Sequence, residues 1–254
     1  MSNGTSAAPA GAAQRWLRGP GGREHTARHR LFVFPHAGAG ASSYRLAGHF
    51  PETVEVCSVQ LPGRENRFAE EPLRSADAVV DALAPLIGDR TDLPYAFFGH
   101  SMGALLAYEV TRRLRETGAR LPDRLFLSAL RAPHLPDRDR RHHLPDAELL
   151  ALLAGSELGG LDPELQELLL PMVRADLTVC ETYEHRPQPP LPVPFTVFGG
   201  TADDTVHESE LAAWHPYTSA GFELRMFPGD HLYVRSAERQ LAESIVHTLP
   251  AWGQ

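Results

Sequence analysis

Residues 95–116, YAFFGHSMGALLAYEVTRRLRE, hold the turn on which the fold reading rests. Residues 95–98 are an apolar, aromatic run of strand type. From Met102 to Glu116 apolar residues recur at helical spacing, and Gly118 is a stop signal just beyond. Between the two lies Gly99-His100-Ser101-Met102-Gly103, which fits G-x-S-x-G. The bare pattern is a weak signal. A strand before it and a helix after it make it a nucleophile elbow, because that motif needs a strand–turn–helix setting. The glycines suit a turn so tight that a Cβ would strike neighbouring elements. Ser101 then stands at the sheet edge, with the N–H groups and positive dipole end of the following helix behind it.

Outward from this turn, strand and helix signals alternate. Residues 31–34 (LFVF) form an apolar run ending at Pro35 and the small-residue loop HAGAGASS. Residues 54–59 form a β-branched run ending at LPGRE, and 75–87 read as a helix. Downstream, strands are expected at 124–130, at 195–198 before GGTADD, and at 222–227 before PGDH. Helices are expected at 208–218 and 234–247. Such alternation predicts an α/β fold with a mostly parallel central sheet flanked by helices. The stretch 137–186 breaks the rhythm. It carries Leu149, Leu150, Leu152 and Leu153, then Leu165, Leu168, Leu169, Met172, Val173, Leu177 and Cys180, at helical spacing and without a strand. We read it as a helical lid inserted between two sheet strands, with the Pro-rich 186–194 as its exit. No repeat or linker divides the chain, so 29–254 is read as one domain. Residues 1–28 are read as a flexible leader with a possible anchor at Trp16 and Leu17. They lack the apolar core of a secretory signal.

A serine hydroxyl needs a general base, and the base needs an orienting carboxylate. In α/β-hydrolase order the acid and then the histidine follow the serine. His231, in GDHLYV just after the last strand, is the expected base. Of the 13 histidines, His36 and His100 flank the site but read as loop structure, and His207 and His215 fall in or near a surface helix. For the acid, Asp203 fits the spacing G-x-x-D-x-x-V, with Asp204 as its rival. Asp230 sits too close to the base to serve it. The oxyanion hole needs two backbone donors. Met102, directly after the serine, and Ala37, in the loop after the first strand, are the expected pair.

Composition excludes several other classes. The chain has 254 residues, enough for a large core, and only 2 cysteines, so neither a disulfide scaffold nor a Cys-rich zinc module is open to it. A net charge of -8 argues against nucleic-acid binding. All 24 basic residues are arginine, which excludes lysine chemistry such as a Schiff base. No apolar run is long enough to span a membrane. The expected location is the cytoplasm, the expected state a monomer, and no metal or cofactor is expected.

FVFPHAGAGASSY, QLPGRENR, FFGHSMGALLAYE, RADLTVCETY and GDHLYV, in this order, resemble the stand-alone type II thioesterases of modular polyketide synthases and nonribosomal peptide synthetases. The likeness runs from about Trp16 to the last helix. It implies an α/β-hydrolase with a mobile lid that hydrolyses acyl or aminoacyl thioesters on the phosphopantetheine arm of carrier-protein domains, an editing role. The arm belongs to the substrate. The family's triad falls on Ser101, Asp203 and His231. The family often has two adjacent glycines after PHA, where this chain has Gly38-Ala39-Gly40. Arg64 of PGRE reads as a structural ion-pair or loop residue. Because the chain is itself acidic, docking of an acidic carrier domain would need a local patch, and Arg138, Arg140 and Arg141 are candidates beside the reading of a solvated charge run. A generic esterase or lipase, an acyltransferase on this fold, and a non-catalytic binding module are the competing readings.

Overall fold

The computed structural model describes residues 10–19, 26–135, 140–153, 158–249 and 252. Seven strands form one sheet in the order β1-β3-β2-β4-β5-β6-β7. They are β1 (Leu17–Arg18), β2 (His29–Phe34), β3 (Val54–Val59), β4 (Tyr95–His100), β5 (Arg124–Ser128), β6 (Phe195–Gly200) and β7 (Phe222–Phe227). β2 to β7 pair in parallel, and only β1 runs antiparallel, against β3. The helices are α1 (Ala10–Trp16), α2 (Ala76–Gly88), α3 (Met102–Glu116), α4 (Asp146–Leu152), α5 (Pro163–Glu181), α6 (Glu208–Ala212) and α7 (Glu238–Thr248).

Alternate residues of the central strands serve opposite faces, as strand geometry requires. Phe32, Phe34, Phe97, Leu125 and Leu127 pack towards α2 and α3, with Val79, Leu83, Leu106 and Val110. Leu31, Val33, Phe98, Phe126 and Phe198 pack towards α7, with Leu241, Ala242 and Ile245. Both faces are covered, so β2, β4 and β6 are buried along their whole length. That explains why they read as continuous apolar runs.

Several boundaries differ from the expectation. The strand expected at 124–130 stops at Ser128 because Ala129 adopts φ +50°. The helix expected at 208–218 is α6 followed by a 3₁₀ turn, His215–Tyr217, with Pro216 inside that turn. The last helix starts only at Glu238, after a 3₁₀ turn at Tyr233–Arg235. The flexible leader needs correction over residues 10–18. α1 leads into β1, Leu17 is buried in the core, and the Trp16 carbonyl accepts from Gln60 N at 2.8 Å. The Arg67 guanidinium lies 4.2 Å from the centroid of the Trp16 ring. A two-residue strand has no periodicity to detect. Of the leader, residues 1–9 and 20–25 lie outside the described residues.

The insertion carries α4 and α5 between β5 and β6. Leu149, Leu170, Met172, Val173 and Leu177 make a small core of their own. Two residues further along α5, Val179 belongs to the main core instead. α5 therefore packs both in the insertion's small core and in the main core, and it ties the two together. No helix among the described residues is long and apolar enough to cross a membrane.

Candidate active site

The elbow at Ser101 is closed by contacts only glycine permits. A Cβ on Gly99 would stand 2.2 Å from the Gly103 carbonyl oxygen, and one on Gly103 would stand 2.0 Å from the Phe34 carbonyl oxygen. Ser101 itself takes φ +53°, ψ −119°, a conformation that costs a non-glycine residue about 1–3 kcal/mol. Its N–H donates to the Ser128 carbonyl at 2.8 Å, and its carbonyl accepts from Ala104 N at 2.9 Å. Strand β5 and the first turn of α3 thus hold the strained residue and leave its side chain at the sheet edge.

His231 Nε2 lies 3.1 Å from Ser101 Oγ, and His231 Nδ1 lies 2.8 Å from Asp203 Oδ2. The Asp203 side chain is 1% exposed and the His231 ring 28%. The other Asp203 oxygen, Oδ1, accepts from Thr205 N at 2.8 Å, Thr205 Oγ1 at 2.7 Å and Val206 N at 3.1 Å. Burial alone would push this carboxyl up, but the bonds from His231 and Thr205 and the nearby imidazole charge outweigh it and hold it at about 2. Asp203 is thus an anion at neutral pH. Asp204 is exposed and makes no bond to the imidazole. Asp230, also exposed, accepts from Leu232 N at 2.8 Å.

The loop after β2 directs its amides in a telling way. Gly38 N donates to Asp176 Oδ2 (2.8 Å), Ala39 N to the His36 carbonyl (3.1 Å) and Gly40 N to Ser43 Oγ (2.9 Å). Ala41 N donates to Gln60 Oε1 (2.7 Å) and Ser42 N to Glu65 Oε1 (3.0 Å). Among the described residues the Ala37 amide has no such acceptor, nor has that of Met102 at the start of α3.

Sequence reasoning missed Thr205, whose hydroxyl lies 3.0 Å from His231 Nδ1 while donating to Asp203. The signal was there in part: an aspartate in a turn accepts from the backbone N–H two residues on, as Asp203 does from Thr205 N, and this brings the Thr205 side chain beside it. It also missed a buried chain behind the site. His100 Nδ1 lies 2.8 Å from Ser128 Oγ, which lies 2.6 Å from the Tyr233 hydroxyl. His100 is not loop structure, as expected from sequence, but the wholly buried end of β4, its ring 5.4 Å from that of His231. His36 does lie in the loop, with Nδ1 bonded to the Tyr44 hydroxyl. His207 is the N-cap residue of α6 and His215 opens the following 3₁₀ turn.

Burial keeps His36 and His100 neutral. His36 is lowered to about 3, with the charges of Arg235, His231 and Arg64 adding to burial. His100 is pushed well below its ordinary value by burial and then by His231 and His36. The unfolded chain takes up these two protons near pH 6.5 and the folded chain does not, so stability falls as pH drops through that value. From pH 7.5 to pH 5 the loss is expected to be about 2 kcal/mol for His36, with His100 adding to it in the same direction. Urea unfolding at the two pH values measures it. A stability unchanged between them would refute the assignment.

Arg64 is, as expected, an ion-pair residue: it meets Asp176 through both terminal nitrogens, at 2.7 and 2.8 Å. Of the candidate docking arginines, Arg138 lies outside the described residues and Arg140 is exposed. Arg141 is engaged with Glu181 at 3.1 Å, which reduces what the patch offers a partner.

A serine on a strand–helix elbow, linked through imidazole to a buried carboxylate at the strand ends of a mostly parallel sheet, is the arrangement of the α/β-hydrolase class of serine hydrolases. The family model for the thioesterase domain matches residues 29–252. The chain belongs to the thioesterase family. It is 40% identical over 223 residues to the gramicidin S biosynthesis protein GrsT of Aneurinibacillus migulanus, covering 85% of this chain and 87% of that one. Among solved structures, the RedJ thioesterase from the prodiginine pathway of Streptomyces coelicolor matches with TM-score 0.82 and 38% identity, over 87% of this chain and 90% of RedJ. The type II thioesterase BorB from the borrelidin biosynthetic cluster matches with TM-score 0.82 and 35% identity, over 91% and 95% of the two chains.

Proposed function

We propose that this enzyme is a type II thioesterase that hydrolyses acyl thioesters from the phosphopantetheine arm of carrier proteins in a polyketide or nonribosomal peptide pathway. The observation that carries the reading is the line from Ser101 Oγ through His231 to Asp203, at 3.1 and 2.8 Å. The biosynthetic pathways named for its relatives supply the substrate class.

In the proposed cycle His231 Nε2 takes the Ser101 proton as Oγ attacks the thioester carbonyl carbon. The carbonyl π electrons move to oxygen, where the N–H groups of Ala37 and Met102 stabilise the negative charge. Collapse of this intermediate breaks the C–S bond, and the imidazolium gives its proton to the leaving pantetheine thiol. Water, deprotonated by the same imidazole, then attacks the acyl-serine, and Ser101 leaves with the proton. Asp203 stays ionised and holds Nδ1–H towards itself, so that Nε2 faces the serine as a base. Water and these side chains complete the cycle, so it calls for no cofactor. We place the enzyme in the cytoplasm, as a monomer.

The test is to incubate the protein with an acyl-phosphopantetheinyl carrier protein and follow the carrier by intact-mass spectrometry, with Ser101→Ala as control. Release of free acid by the wild type and not by the variant is the expected result. Cleavage of a p-nitrophenyl ester with the carrier left loaded would replace this reading with a generic esterase. Transfer of the acyl group to an added alcohol or amine would replace it with an acyltransferase.

A further inference from the structure

The buried pair Arg64–Asp176 reaches past its own ion pair to the loop that carries Ala37. Asp176, 1% exposed, stands on α5 within the insertion. Its Oδ2 accepts from Arg64 Nη1 and from Gly38 N, both at 2.8 Å, and its Oδ1 accepts from Arg64 Nη2 at 2.7 Å. Arg64 Nη1 also donates to the Ala39 carbonyl at 2.9 Å. The peptide joining Ala37 to Gly38 is therefore pinned by its N–H, and the peptide after Ala39 by its oxygen. One turn earlier on α5, Val173 Cγ2 lies 3.5 Å from where a Gly38 Cβ would be. Gly38 adopts φ +83°.

A His-Ala-Gly-Ala-Gly loop has many accessible backbone conformations, because glycine restricts neither sign of φ. The direction of the Ala37 N–H depends on which of them is held. We propose that Asp176 and Arg64 are positioning residues that set the Ala37 amide for the oxyanion, and that they do so from the insertion helix, so that the oxyanion loop and α5 hold their places together. The proposal rests on the thioesterase reading above for the role of Ala37. A buried ion pair is a weak source of net stability, since apolar replacements of similar volume are often neutral or stabilising. A pair that also binds two backbone groups of one loop has a reason to be polar.

That contrast supplies the experiment. In the double variant R64M/D176L both charges are removed, so neither is left buried alone, while Gly38 and Ala39 lose their anchors. We expect a folded protein with a melting temperature near that of the wild type. Its kcat on acyl carrier protein should be about 10–100-fold lower with KM little changed, because removing one oxyanion donor outright costs about 10²–10³. The inhibition constant of an acyl trifluoromethyl ketone, whose adduct with Ser101 mimics the oxyanion, should rise in parallel. Asp176→Asn, which keeps one acceptor oxygen for three donors, should give a smaller loss. Independently of activity, hydrogen exchange of the peptide covering residues 35–43 should accelerate while that of β4 and α3 does not. A folded double variant with unchanged kcat, inhibitor affinity and exchange would reduce the pair to a structural contact and overturn the proposal. If the wild type itself lacks Ser101-dependent turnover, the thioesterase reading fails instead, and the exchange measurement alone decides whether the pair holds the loop.

Discussion

Ser101→Ala should lower kcat on a carrier-bound thioester by about 10⁴-fold or more, with little change in KM, and His231→Ala should do nearly the same. In the proposed cycle the two side chains, 3.1 Å apart, act in one proton transfer. Either loss leaves the other without a partner for the chemistry. The double variant is therefore expected to be no slower than the worse single variant, which is the non-additivity of groups that work as a unit. Residual turnover would come from binding and from the oxyanion donors. The fold should persist, since Ser101 is held by backbone bonds to Ser128 and Ala104 that alanine keeps. Single-turnover deacylation with far-ultraviolet circular dichroism as the fold control measures both. Independent, multiplying losses would show that the serine and the imidazole are not a unit.

Asp203→Asn should cost about 10⁴-fold in kcat, and Asp204→Asn less than about twofold. The asparagine side chain fits the same space but can present an N–H to His231 Nδ1, which favours the tautomer with its proton on Nε2. Such an imidazole faces Ser101 as a donor and cannot accept its proton. The Asp204 side chain is exposed and bonds to nothing in the site. Equal effects at the two positions, read from kcat on the same carrier substrate, would overturn the choice between them. Asp203 also carries the turn of residues 203–206 through Thr205 and Val206. A lower melting temperature is expected in that variant too, and kcat is therefore to be taken below the transition.

The choice of Asp203 illustrates how far spacing reaches. Val206 three residues on is buried, which turns Asp203 inwards and Asp204 out, and that alternation was legible from G-x-x-D-x-x-V. Thr205 was legible in principle, since its hydroxyl belongs to the same local turn. Ser128, Tyr233 and His100 were not: they sit at the ends of three separate segments, 105 residues apart between Ser128 and Tyr233. Their hydrogen bonds exist only once β4, β5 and the turn after β7 lie side by side. The first strand of the sheet escaped notice for a different reason. Leu17 and Arg18 are too few to show a period, and their pairing with Val59 and Ser58 is decided by the partner strand.

Local chemistry by itself determined the elbow, the order of serine, acid and base, and the central strands. These depend on glycine where no Cβ fits, on apolar runs where both faces of a sheet are covered, and on short-range spacing. Only the tertiary structure decided that Asp203 Oδ2 lies 2.8 Å from His231 Nδ1, that among the described residues the Ala37 and Met102 amides have no acceptor, and that Asp176 of the insertion helix reaches the loop before β3. Asp176 and Gly38 are 138 residues apart, and their contact at 2.8 Å follows from the docking of α5 across the sheet edge. Such contacts depend on burial and on the relative placement of whole elements, which no window of sequence contains.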